Sequence, residues 1–327
     1  MTGPNHTLSP AADSILGDSF LSQCAMFYPL GFPMELTTNS ISVVEAAAEG
    51  WHLFRPTFDA QPARIRLGVR GDGGPLPAPP EFQWRGNLMS IISARGNFMV
   101  CDFRSNSAFG WVSRAVAADR GFLRYYFLDA AILSLVQQNH LAPVHGGLVA
   151  RNGRGVLLCG ESLAGKSTLT YACARAGWTF VTDDGTSLVR QRHDRYGIGN
   201  PYAIRLRNGA RHLFPELAGR FETVRPNGKF GIEVMTAELG IQVAAGCPID
   251  HLVFLNRHSS GPATLQPYPK ETALAWCEQF CVLGEPNVHE EMRRSYRQLL
   301  TAEVWSMSYR DLDDAVACLA RLLECGE

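Results

Sequence analysis

The stretch Gly160-Glu161-Ser162-Leu163-Ala164-Gly165-Lys166-Ser167 narrows what this chain can fold into more than any other feature. It fits the pattern G-x-x-x-x-G-K-[ST], a loop that works only between a buried strand and a helix. Both flanks are present: an apolar run over 155–159 precedes it, and a helical pattern continues to about Ala176. Glycines in such a loop let backbone N–H groups turn inward around phosphate oxygens, and the following helix points its positive dipole end at them. Lys166 would reach the β and γ phosphates, the Ser167 hydroxyl would ligate Mg²⁺, and Thr168 counts among the nucleotide-binding residues. Among thirty basic residues the chain has three lysines, Lys166, Lys229 and Lys270, and one of them completes the motif. Binding of ATP with Mg²⁺ is therefore expected, through residues 160–168. No Leu-Ser-Gly-Gly-Gln segment and no distant Asp-Glu strand end accompany the loop, which excludes an ABC-type ATPase.

An acidic pair stands close by. Asp183-Asp184 ends an apolar run over 179–182, seventeen residues past Lys166. Strand, loop, helix and strand in this order read as an α/β unit with a parallel pair and a crossover helix. The C-terminal ends of neighbouring parallel strands lie side by side, so both carboxylates would face the phosphates. One would hold Mg²⁺ and the other would accept a hydroxyl proton. His145, in Pro143-Val144-His145-Gly146-Gly147-Leu148-Val149-Ala150, lies just upstream. By chemistry alone a lone histidine is more often packed or solvated than catalytic.

Three segments taken together, His145-Gly146-Gly147-Leu148-Val149, the loop 160–167 and Phe180-Val181-Thr182-Asp183-Asp184, resemble the kinase domain of HPr kinase/phosphorylase in order and spacing. The clear resemblance covers about 143–190, and a weaker one continues to the final helix. It implies a P-loop kinase fold, with His145 beside the acidic pair, Asp183 as base toward a serine hydroxyl and Asp184 as the Mg²⁺ partner. It also implies a homo-oligomer. Two departures stand out. Leu163 replaces the family's usual glycine, so a left-handed backbone there would be strained by roughly 1–3 kcal/mol. The Arg-Gly-Leu-Gly segment linked to the phosphorylase direction is not present, and the chain looks more like a specialised relative, such as a peptide-tailoring kinase acting on lasso-peptide precursors.

The rest of the chain sets the frame. With 327 residues, 46% apolar and 19% charged, it can build two cored domains. A net charge of −1 argues against a generic nucleic-acid or polybasic membrane binder. No apolar run approaches the roughly 20 residues of a membrane helix, and no signal-peptide pattern is visible. Nine cysteines without a Cys-x-x-Cys pair read as reduced thiols of a cytoplasmic protein. Residues 1–20 read as a flexible lead-in, 21–120 as a mainly β (α+β) module and 121–327 as the P-loop domain. In the front module we expect an edge strand or extended segment over 25–38 and a helix over 42–51. Strands follow at 64–70, 88–92, 98–103 and 109–116, with a loop at 71–80. In the second domain we expect a helix over 122–138, one strand over 144–150, a turn at Asn152-Gly153 and strands over 203–207 and 252–255. Further helices are expected near 210–218, 271–281, 289–300 and 312–324.

Secondary candidates are weaker. Arg205 and Arg207 alternate on one strand face and would steady phosphoryl charge or merely face solvent. Lys229 would support a phosphate or the acceptor, or sit in a solvated turn. Cys277, Cys281 and His289 read as core packing rather than a zinc site. The stripe Leu312, Val316, Leu319 and Leu323 is core or interface material. The fold class expected is α/β, a P-loop kinase domain of HPr-kinase type behind a β-rich module that recognises the acceptor or an effector. The leading functional expectation is an ATP- and Mg²⁺-dependent kinase acting on a serine of a protein or peptide. A small-molecule kinase and an ATP-binding sensor or scaffold stay open.

Overall fold

The computed structural model describes residues 20–324 except 72, 95, 258–260, 282 and 283. The lead-in expected over 1–20 lies outside the described residues apart from Phe20. The chain divides into two compact units, Met1–Leu135 and Val136–Glu327, and both mix helices with sheets. Among the described residues no helix is long and apolar enough to cross a membrane.

The first unit is built on β1 (Gln23–Phe27), β2 (Met34–Thr38), α1 (Ile41–Trp51), β3 (Ala63–Arg70), β4 (Glu81–Arg85), β5 (Leu88–Ile92), β6 (Phe98–Asp102) and β7 (Ser107–Ser113). The strands form one sheet in the order β1-β2-β3-β7-β6-β5-β4, with β3 parallel to both β2 and β7. Alternation explains the pairing: Met34 and Leu36, then Ile65 and Leu67, put every second side chain into the core. Val43, Ala46, Ala47 and Trp51 of α1 are buried as well. The expected 25–38 segment is two antiparallel strands around a short turn at Pro29–Gly31, and β4 has no counterpart among the expected strands. Short helices α2 (Arg114–Ala118) and α3 (Arg120–Leu123) lead through a wide turn at Arg124–Leu128 into α4 (Asp129–His140).

The second unit opens with β8 (Leu141–His145), β9 (Gly147–Arg151), β10 (Arg154–Cys159), α5 (Lys166–Arg175), β11 (Thr179–Thr182), β12 (Gly185–Val189), β13 (Tyr196–Ile198) and β14 (Ala203–Leu206). It continues with β15 (Thr223–Val224), β16 (Phe230–Met235), α6 (Thr236–Leu239), β17 (Gly246–Asn256), β18 (Thr264–Pro267), α7 (Lys270–Glu278), α8 (Pro286–Leu299), β19 (Glu303–Ser308) and α9 (Leu312–Glu324). The main sheet runs β11-β9-β10-β17-β13-β12-β8, with β19 also on β17 and β18 on β19. Its centre is parallel: β10, β17 and β19 run together. Both faces are covered, which is why β10 reads as an unbroken apolar run. Val156 and Leu158 pack with Leu169 of α5 and Leu319 of α9. Leu157 and Cys159 turn to the other face, against Trp276 of α7 and Tyr296 of α8.

Three expectations are corrected. The single strand over 144–150 is two strands: β8 pairs β12, and β9 pairs β10 and β11, with Gly146 between them. The strands flanking α5 are not neighbours, because β9 runs antiparallel between β10 and β11. The helix near 210–218 is two 3₁₀ turns, Asn208–His212 and Pro215–Leu217. Pro215 removes an N–H and holds Phe214 extended at φ −129°, which interrupts any continuous helix.

Candidate functional site

The loop 160–165 joins the C-terminal end of β10 to the N-terminus of α5, beside the end of β17. Gly165 caps α5 at φ +97°, and a Cβ there would collide with the Tyr309 hydroxyl. That hydroxyl donates to the Ala164 carbonyl at 3.1 Å, so the residue just past β19 braces the loop from behind. Lys166 is buried, and its ammonium donates to the Gly160 and Glu161 carbonyls at 2.8 and 3.1 Å. Burial holds that ammonium below its ordinary range, against the pull of Asp184, Cys159 and Glu161. The cation is thus folded into the cradle where the pattern puts phosphate oxygens. Thr170 donates to the Lys166 carbonyl at 2.8 Å and fixes the first turn of α5. Thr168 lies half-buried on that turn.

Leu163 takes the left-handed backbone at φ +75° and leaves its side chain 70% exposed. The strain expected from the sequence is therefore present. Leu163→Gly is expected to raise unfolding stability by about 1 kcal/mol, the relieved strain less the glycine's greater entropy. A urea midpoint at or below that of the parent chain would show that the leucine makes compensating contacts.

The carboxylates reach the loop by a different route from the one expected. β9 begins at Gly147, and a Cβ there would strike the Thr170 hydroxyl and stand 3.1 Å from the Asp183 carbonyl. Only glycine lets β9 slip between the loop's helix and the acidic pair. Ser167 Oγ lies 3.5 Å from the Asp183 carbonyl oxygen. The Asp183 side chain is buried, and its Oδ2 accepts the Arg205 backbone N–H at 3.3 Å. Burial, with Asp184 next to it, pushes this carboxyl up to about 7. Asp184 is exposed. Its Oδ1 meets His145 Nδ1 at 3.2 Å.

The β8–β12 ladder makes that contact, pairing His145 with Gly185 and letting Gly146 N–H donate to the Asp184 carbonyl at 2.8 Å. Burial lowers the imidazole's pKa, Asp184 opposes this, and the charges of Lys166 and Lys229 add to the lowering. His145 is accordingly neutral near pH 7, with the Phe280 ring 5.8 Å away.

Sequence reasoning placed His145, Lys166, Ser167, Asp183 and Asp184, and the fold brings these five into one neighbourhood. It missed Tyr309, Thr170 and Arg257. The last follows β17 and carries its Cδ 3.8 Å from where a Gly165 Cβ would stand. Tyr309 and Arg257 come close only through the β10–β17–β19 order, so no local motif could mark them.

Arg205 does not steady phosphoryl charge as one alternative had it. Its guanidinium is spent on Glu233, Thr223 and the Lys229 carbonyl. Arg207 does reach the loop, 3.4 Å from Ser162 Oγ. Cys277 is buried in the core with α8, and Cys281 Sγ sits 3.7 Å from Met292 Sδ. No group of three or more His, Cys, Asp or Glu is arranged to hold a metal among the described residues.

The residues fit a nucleotide and Mg²⁺ by two local observations. The loop is a cradle that a Cβ at Gly165 would disrupt, and the donor set is a buried ammonium, a hydroxyl and carboxylate oxygens. That set suits hard cations and phosphate.

No family model and no curated protein matches the chain. Among solved structures it is similar to the Hpr(Ser) kinase/phosphatase from Coxiella burnetii, at 15% identity and a TM-score of 0.29, over 56% of this chain and 99% of that one. A likeness of that degree carries no argument about chemistry, and the functional reading rests on the geometry of the site.

Proposed function

We propose that this chain is an ATP- and Mg²⁺-dependent kinase that transfers the γ-phosphate to a serine hydroxyl of a protein or peptide. The observation that carries this reading is the contrast between two adjacent carboxylates beside a phosphate-type loop: Asp183 buried with a pKa of about 7, Asp184 exposed on a neutral histidine. Pairs whose environments separate them in this way divide base work from charge work.

ATP would supply the γ-phosphoryl group and leave as ADP once the β–γ bond breaks, and Mg²⁺ would offset the phosphate charge. Lys166 turns its ammonium from the loop carbonyls to phosphate oxygens, and the N–H groups at the start of α5 orient them. Ser167 and Asp184 would hold the metal. Asp183 takes the proton from the incoming hydroxyl, a task for which a base poised near neutrality is well matched. His145, neutral and hydrogen-bonded to Asp184, keeps that carboxylate in place.

The test is direct. The purified chain with γ-labelled ATP, Mg²⁺ and lysate of its source should label a protein or peptide on serine. Label on a small molecule would replace the acceptor class. Bound nucleotide with no labelled acceptor would hand the site to the sensor or scaffold reading.

A further inference from the structure

The three-stranded sheet β14-β16-β15 is fastened to the site at two points. The Arg205 N–H of β14 holds Asp183, and Arg207, at the end of the same strand, reaches Ser162 of the loop. The sheet's inner side is core, with Ile204, Leu206 and Ile232 packed in the same cluster as α5. A side-chain clamp holds the outer hairpin. Arg205 crosses β16 over Gly231, where a Cβ would come within 2.9 Å of its Nε. From there it binds the Thr223 and Lys229 carbonyls.

The outer part of this hairpin is apolar and unpartnered. Phe221 is 89% exposed, Phe230 66% and Val224 56%. Val224 and Phe230 face each other in the β15–β16 register, and Leu163 stands out from the loop near the other attachment. Isolated exposed apolar side chains need no explanation, but the facing pair Val224 and Phe230, with Phe221 two residues ahead of β15, does beside a candidate active site.

The charge around it is net positive, with Glu222 beside Phe221 as an acidic exception. Residues 205–233 hold six basic side chains against three acidic ones, Glu216, Glu222 and Glu233. Glu216 is taken by Tyr171 and Arg175, Glu233 by Arg205 and Arg225, and Arg220 by Glu238 just outside the stretch. Among the described residues neither Arg207 nor Lys229 has a carboxylate within ion-pair distance, although Lys229 lies near enough for its charge to be felt at His145. A second copy docking here through the same face would set these cations against themselves, so a self-contact is disfavoured. An occupant carrying carboxylates and apolar side chains matches both properties.

Resting on the kinase reading above, we propose that the β14-β16-β15 sheet is the acceptor-docking surface and takes an acidic peptide segment whose apolar side chains flank the phosphorylated serine. Phe221, Val224 and Phe230 hold the apolar side chains. Lys229 and Arg207 draw the acidic ones toward the loop, and the serine then falls beside Asp183.

Binding can be read without transfer, by fluorescence anisotropy of labelled synthetic peptides on the full chain with Mg²⁺ and a non-hydrolysable ATP analogue. Three serine peptides suffice: one with Glu and Leu flanks, one with Lys replacing Glu, and one with Gly replacing Leu. The first is expected to bind about tenfold more tightly than either other. Lys229→Glu with Arg225→Glu should move the preference toward the lysine peptide. Phe221→Ser with Phe230→Ser should lose about tenfold with an unchanged melting curve, since both rings face solvent.

Equal affinity for all three peptides, no binding of any, or indifference to both double variants would overturn the proposal. So would self-association abolished by the phenylalanine variant, which would assign the face to a second copy. Tight binding of the acidic peptide without its phosphorylation by ATP would leave the docking surface standing and remove the kinase reading. Efficient phosphorylation of a serine lacking such flanks would do the opposite.

Discussion

Asp183→Asn is expected to lower phosphotransfer by about 10²–10⁴-fold, the range of a lost general base, with nucleotide affinity nearly unchanged. Asparagine keeps the shape and an oxygen to accept the Arg205 N–H, and it cannot take a proton. In the parent chain the rate should climb about tenfold per pH unit below 7 and level off above it, following ionisation of Asp183. Initial rates across pH 5–9 for both proteins would check this, and a flat parent profile would remove Asp183 from the role of base. Stability moves the other way. The folded-state pKa is raised from 3.8 to about 7, so between those values the folded chain keeps a proton that the unfolded chain has released, and stability falls as pH rises through the window. The asparagine side chain has no such proton to lose. The variant should therefore be more stable than the parent at pH 8, by up to about 4 kcal/mol in urea unfolding, with the gap closing toward pH 4.

Lys166→Met should remove the buried ammonium that lies folded into the cradle. The expected loss is about 10²–10³-fold in transfer, the scale of one preorganised electrostatic donor, together with weakened nucleotide binding. Calorimetric titration with a non-hydrolysable nucleotide and initial-rate measurements would read both. The two loop carbonyls that Lys166 now serves, Gly160 and Glu161, lie on an open loop where water can take over, so the fold should survive. Undiminished nucleotide affinity in the variant would mean that the ammonium is a structural brace of the loop and not a phosphate ligand.

The strand–loop–helix unit was legible because each part is local: an apolar run, a patterned loop and a helix that follows it directly. The way the carboxylates meet the loop was not. Residues 144–150 read as one apolar strand, since nothing in them shows that 141–145 will pair with 185–189 while 147–151 pair with 154–158 and 179–182. Gly146-Gly147 marks the break, and its meaning depends on Thr170 and Asp183, which sequence spacing does not bring near. Arg205 shows the same limit in reverse. Strand alternation put it on a face with Arg207, yet Glu233, the Thr223 carbonyl of β15 and the Lys229 carbonyl in the turn before β16 claimed its guanidinium. The two 3₁₀ turns over 208–217 show Pro215 interrupting the helix expected there. His145 was found only by resemblance, and the fold gives it a reason: the β8–β12 ladder sets it on Asp184.

The interposed strand β9 also sets where this chain can change length over evolutionary time. Its far end is a two-residue hairpin at Asn152-Gly153, with both residues at positive φ, at the end of the sheet away from the loop. Insertions there would lengthen a surface turn and leave the site alone. Its near end is the single residue Gly146, joining two strands that belong to different ladders. One residue added at that link would push His145 off Asp184 or drive Gly147 out of the gap beside Thr170. Descendants of this chain should thus drift freely in size at one end of β9 and hold to the residue at the other.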